Sequence, residues 1–171
     1  MALPRKLKNM NLFNDGQSYL GRVEEMTLPK ITRKFEEYRG GGMNGAVKVD
    51  MGLEADALSS EITFGGLEAQ LYKQWGVTQI DGVMLRFNGA YQREDTAEVT
   101  AVEVVLRGRF SEIDSGNGKA GENTQVKTPF NATYYKLIWD GETLIEIDLL
   151  NMIENVDGID RLAEQRAALG L

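Results

Sequence analysis

The residues able to do chemistry are few, because the chain holds no histidine and no cysteine. Ser-His-Asp and Cys-His nucleophiles are thereby excluded, as are disulfides and thiolate metal sites. What remains is carboxylates, Lys and Tyr. The tripeptide Glu-Ile-Asp occurs at Glu112-Ile113-Asp114 and again at Glu146-Ile147-Asp148. On a strand, the two acids of each would point the same way. Such pairs can hold a cation or share acid–base work. No EF-hand spacing surrounds them, so the plain reading is an acidic strand face. Gly40-Gly41-Gly42-Met43-Asn44-Gly45 matches a dinucleotide-binding fingerprint by letter. That fingerprint needs a helix to open at its end, whereas Val47-Lys48-Val49-Asp50 reads as strand. The glycine run is expected to be a mobile hairpin tip or loop, ordered by a partner. Asn131-Ala132-Thr133 fits a glycosylation acceptor by letter only, and Asp157-Gly158-Ile159-Asp160 reads as a turn before the last helix.

The elements that position these residues belong to one domain. A chain of 171 residues, 42% apolar and 26% charged, has ordinary globular composition and needs no staple to hold a core. No signal-like start and no membrane-length apolar run are found, so a soluble protein made in a cytoplasm, without a membrane span, is expected. The net charge of −7 argues against non-specific grip on nucleic acid. Its distribution is uneven. Residues 1–40 hold eight bases and five acids, and residues 41–171 hold eleven bases and twenty-one acids, giving +3 and −10. A basic start could dock on an acidic surface of another copy.

Asx-Gly pairs at 15–16, 81–82, 88–89, 117–118, 140–141 and 157–158 signal tight turns in a mainly β protein. Period-two stretches predict a short hairpin over 11–20 and strands over 31–38, 47–51, 58–64 and 83–91. They also predict a long hairpin of strands 100–113 and 124–139, and a last strand over 143–148. In strand 124–139, Val126, Thr128, Phe130, Ala132, Tyr134, Lys136 and Ile138 are expected to share one face. Strand 31–38 is apolar on neither face, so it should be exposed or lie at an interface. Helices are predicted over 67–75, with Leu67, Leu71 and Trp75 on one stripe, and over 160–169 with Asp160 as N-cap.

Several runs carry a family resemblance. They include Leu28-Pro29-Lys30-Ile31-Thr32-Arg33-Lys34, Glu37-Tyr38-Arg39 with the glycine run, and Val49-Asp50-Met51-Gly52-Leu53-Glu54. Val102-Glu103-Val104-Val105-Leu106-Arg107-Gly108-Arg109 and Gly158-Ile159-Asp160-Arg161-Leu162 continue it. Together they resemble the major tail tube protein of contractile-tailed bacteriophages, a family related to R-type pyocin tubes. The resemblance spans nearly the whole chain, except for 67–80.

It implies a β-sandwich or barrel-like subunit that forms hexameric rings stacking into a tube inside a contractile sheath. Implied partners are further copies, the tail sheath protein, the baseplate hub, the tape measure protein and passing double-stranded DNA. The implied location is the virion, with assembly in the host cytoplasm; no cofactor is implied. The chain is taken as one tail tube domain, 1–171, with an N-terminal arm over 1–10 and an assembly loop over 40–54. Assembly contacts are expected at Arg5, Lys6, Lys8, Gly40, Gly41, Gly42, Met43, Asn44, Gly45 and Asp50, poorly ordered before assembly. An acidic lumen is expected from Glu98, Glu103, Glu112, Glu146 and Asp148. A phage-tail-like bacteriocin tube, a carboxylate-dependent hydrolase and a small-ligand barrel are the alternatives. Because no complete ligand set is present, EDTA should leave the melting temperature and self-association unchanged. Loss of association in EDTA, restored by calcium, would assign the Glu-Ile-Asp pairs a metal.

Overall fold

Three of the Asp-Gly pairs make two-residue turns with both residues at positive φ, the conformation that matches strand twist. They are Asp15-Gly16 (47° and 87°), Asp140-Gly141 (47° and 82°) and Asp157-Gly158 (54° and 78°). The computed structural model describes residues 1–171. Its strands are β1 (Arg5–Asn14), β2 (Gln17–Ser18), β3 (Val23–Thr27), β4 (Arg33–Tyr38), β5 (Val47–Leu53), β6 (Ser59–Phe64), β7 (Val83–Arg93), β8 (Val99–Phe110), β9 (Val126–Trp139), β10 (Glu142–Asp148), β11 (Ile153–Val156) and β12 (Ile159–Asp160). Its helices are α1 (Ala69–Gln74) and α2 (Ala163–Ala168).

Ten strands form one sheet in the order β12-β11-β10-β9-β8-β7-β1-β2, with β6 branching from β9 and β3 from β6. The branch exists because β9 changes partners along its length. Its first half pairs β6 and its second half pairs β10, while β8 lies along its other side. One core of eighteen buried side chains joins both limbs, including Leu12, Ile62, Phe64, Phe87, Leu106 and Phe130. Tyr19 meets Phe64 edge-on at 5.3 Å, tying the β1–β2 hairpin to the β6 limb. Asn14, fully buried, exchanges hydrogen bonds with Gln74 of α1, both at 2.7 Å.

Four expectations are corrected. The register of β8 on β9 shifts between Arg107 and Gly108, leaving Thr133 as an extra residue. Val126, Thr128, Phe130 and Ala132 face the core as read, but beyond the bulge Tyr135 faces inward and Tyr134, Lys136 and Ile138 face out. The strand predicted to 113 ends at Phe110, so Glu112 lies beyond β8. Of the expected stripe on the first helix only Leu71 is buried; Leu67 and Trp75 flank a six-residue helix in non-helical backbone, where helical spacing does not apply. The N-cap of the second helix is Leu162, because Asp160 pairs in β12 and accepts the Leu162 N–H from there.

The bulge requires a close approach at Gly108. A Cβ there would lie 1.9 Å from the Asn131 carbonyl oxygen and 2.7 Å from the Ala132 Cα, both backbone atoms that cannot rotate away. Gly108→Ala should therefore lower unfolding stability by about 3 kcal/mol. Urea melts would show this as a lower midpoint at unchanged slope. An unchanged midpoint would mean that the two strands separate there at no cost.

Candidate functional site

The surfaces able to meet a partner follow from strand alternation. One face of β7, β8, β9 and β10 fills the core, so the other is open. Across it, Arg86 stands beside Val105, then Lys136, then Glu146 on successive strands. The next row is Met84, Arg107, Tyr134 and Asp148. Glu103 lies 3.8 Å from Arg86, whose guanidinium stacks 4.3 Å over the Phe13 ring. A groove of about 450 Å³ runs here, lined among others by Glu103, Arg107, Tyr134, Lys136 and Asp148. Partial burial, with Glu146 nearby, pushes the Tyr134 hydroxyl pKa up.

Of the five expected lumen acids, Glu103, Glu146 and Asp148 share this face. They share it with Arg86, Arg107 and Lys136, so the face mixes acids with bases. Glu98 precedes β8, outside the strand, and pairs with Arg5 at 3.6 Å and Arg93 at 3.9 Å. Glu112 sits in a separate groove beside Tyr72 and Trp75. The Glu146-Ile147-Asp148 pair does point one way, with Ile147 buried beneath. Asp148 is committed to its own turn, accepting the Leu150 and Asn151 N–H groups and the Asn151 side-chain amide. Asp114 likewise accepts the Gly116 N–H. The two acid pairs do not converge.

The second surface is the β4–β5 hairpin, a two-stranded sheet that pairs with no other strand. The glycine run is its tip, as read, and Asp50 lies on β5. Val47, Val49 and Met51 alternate along one face, with Tyr38 opposite Val47. All four are exposed. Sequence analysis missed Arg33 at its base, which pairs with both Asp50 and Glu154. The Gly52 N–H and then Arg33 hold the Asp50 carboxyl below the usual carboxylate range. The signal for Arg33 was the run of charges through 33–37, but its partner Glu154 is 121 residues away.

The basic start is not a free arm. Arg5, Lys6 and Lys8 lie on β1, paired with β7, because Met10 and Leu12 further along the strand pack on the core. Lys8 pairs with Glu94, and Arg5 reaches Glu98 and the Thr100 hydroxyl. Two of the three charges expected to seek another copy, Arg5 and Lys8, are thus matched within the subunit. The outer edge of β1 is open from Arg5 to Asn11, since β2 covers Phe13 and Asn14 and the Tyr19 N–H bonds the Leu12 carbonyl. At the opposite end the sheet stops at the two-residue β12. Two unpaired edges, an exposed apolar hairpin and an open sheet face define an assembling structural subunit.

Comparison with known proteins gives the family. The chain matches the family described as "Phage tail tube protein FII" over residues 4–170 and belongs to it. It is 53% identical over 172 aligned positions to the tail tube protein of Escherichia phage P2, covering 100% of both chains. It is 43% identical to the major tail tube protein of Serratia phage KSP20, over 100% of this chain and 99% of the relative. A chain in the cryo-EM structure of the anti-feeding prophage (AFP) baseplate, 6-fold symmetrised, superposes with a TM-score of 0.52. It covers 75% of this chain and 90% of that one at 11% identity, and so bears on the fold alone. Tail tube proteins are virion components, and the role of this chain is structural.

One contact at the start of the chain gives a pH test. Arg93 binds Asp95 through two nitrogens, at 3.0 and 2.6 Å, and Asp95 also accepts the Leu3 N–H at 3.2 Å. Arg93, then the Leu3 N–H, lower the Asp95 pKa from 3.8 to about 2. A carboxyl depressed on folding holds its contact above its unfolded pKa and loses it as pH falls through the folded one. The Leu3 amide resonance should therefore titrate with a midpoint at about 2. In Asp95→Asn that low-pH titration should vanish. A wild-type midpoint near 3.8 would show that Arg93 does not hold the carboxylate.

Proposed function

We propose that the chain builds the inner tube of a contractile phage tail, as hexameric rings stacked head to tail, and that the tube conducts the genome through the host envelope. The observation that carries this is an exposed apolar hairpin, paired with nothing in its own subunit, on a member of a tail tube family. An exposed apolar strand pair is a liability in a monomer and a contact in an assembly. The hairpin tip at Gly40, Gly41, Gly42, Met43, Asn44 and Gly45, together with Asp50, meets neighbouring subunits. Arg5, Lys6 and Lys8 act there as an edge strand rather than a loose arm. The open sheet edges join neighbours around the ring.

The open face carrying Glu103, Glu146 and Asp148 lines the bore. With Arg86 beside Glu103 and Lys136 opposite Glu146, a passing phosphate meets these cations next to carboxylates, which weakens fixed ion pairing with DNA. The sheath protein meets the outside of the tube, and the tape measure and baseplate hub complete the tail. Assembly takes place in the host cytoplasm. The subunit does no catalysis and takes no metal.

Electron microscopy of the purified chain tests this reading: six-fold rings or tubes are expected. Featureless particles at every concentration and salt would overturn it. Val49→Asp should leave the monomer folded by circular dichroism, since the side chain is exposed. It should raise the concentration needed for assembly by about tenfold, which corresponds to ~1.4 kcal/mol per contact. Unchanged assembly would remove the hairpin from the interface.

A further inference from the structure

The β4–β5 hairpin has no strand neighbour, so its direction must be fixed at its root. Two backbone bonds close that root: Glu54 N–H to the Thr32 carbonyl at 2.9 Å and Leu58 N–H to the Lys30 carbonyl at 3.1 Å. Both join residues flanking the hairpin, and Leu53 packs against the core, so the base is seated while the strands above it lean on no neighbouring strand. Beside them, Gly52 takes φ +102°, and the register shifts between Arg33 and Phe35, so the ladder is irregular at this level. A cleft of about 950 Å³ separates the hairpin base from the body. Asp50, Met51 and Leu53 line one wall, and Ala132, Leu149 and Leu162 line the other.

Arg33 crosses this cleft. Its Nε donates to Asp50 Oδ2 within the hairpin, and its Nη1 donates to Glu154 Oε1 on β11. The Glu154 side chain is only 11% exposed, so the anchor on the body side is fixed by its surroundings. An arginine suits this task, because its planar fork can hold two carboxylates at once whereas an ammonium is a single point charge.

We propose that Arg33 is a positioning residue: bridging Asp50 and Glu154, it latches the hairpin at one angle to the body and so presents its apolar face ready to meet a second copy. This rests on the tube reading for its consequence but not for its geometry. A hairpin held in the docking pose binds with its full affinity. One that swings binds more weakly by the fraction of time it spends in that pose.

The test uses the absence of cysteine. Cysteines placed at Asn44 and Ala167, both exposed, carry spin labels that report the tip-to-body distance in the dilute monomer. The parent should give one narrow distribution. Glu154→Gln should broaden it, and its assembly should need about fivefold more protein. Arg33→Lys serves as a second variant should Glu154→Gln not fold, and should broaden the distribution in the same way. Lys119→Gln, which breaks only the exposed Lys119–Glu122 pair away from the hairpin, should change neither readout. A narrow distribution in the folded latch variants would overturn the proposal, as would broadening without any change in assembly. If the parent forms no tubes, the tube reading fails, while the distance distribution still decides whether Arg33 is a latch.

Discussion

Strand alternation under a single core is the constraint on which the rest depends. β7, β8 and β9 are eleven, twelve and fourteen residues long, and each must bury every second side chain. Filling the core with Leu85, Phe87, Val104, Leu106 and Phe130 commits the alternate positions to the opposite face. Arg86, Glu103, Arg107 and Lys136 are therefore brought together by the same periodicity that buries their neighbours. Their arrangement mixes charges across strands, with Lys136 directly opposite Glu146 and Arg86 diagonal to Glu103.

That regularity would fail at a single point without the bulge. The thirteen residues from Val126 to Ile138 cannot both pack Phe130 inward and keep Tyr135 inward on an unbroken pleat. The extra residue at Thr133 resolves the conflict by changing parity, and Gly108 admits the backbone contact that the bulge requires. The same strand then serves two limbs, pairing β6 before the bulge and β10 after it. A local irregularity in one ladder thus makes room for the branch that closes the core.

What the core does not reach is left for assembly. The hairpin carries Phe35, Tyr38, Val47, Val49 and Met51 outward, an arrangement that isolated subunits avoid. The polar devices nearby are directional rather than numerous: Arg33 spans hairpin and body, while Lys34 and Glu36 face solvent. The start of the chain follows the opposite course. Arg5 and Lys8 are matched by Glu98 and Glu94 of the same subunit, so its free β1 edge matters more than its charge.

The sequence by itself determined the mainly β class, the tight turns at Asp15-Gly16, Asp140-Gly141 and Asp157-Gly158, the long β8–β9 hairpin and the exposed β4–β5 hairpin with its glycine tip. These rest on local rules: positive φ at Asx-Gly pairs and the two-residue period of a pleat. It also carried the runs by which the family resemblance was read. Tertiary structure alone decided the Thr133 bulge, which flipped Tyr134 and Lys136 to the open face. It also placed Glu98 and Glu112 away from Glu103, Glu146 and Asp148. Only the fold could pair Arg33 with Glu154 or Lys8 with Glu94, because these partners lie 121 and 86 residues apart. Local periodicity reports which way a side chain points along its own strand. Which strand lies beside it, and where a register slips, is set by long-range packing that no short window contains.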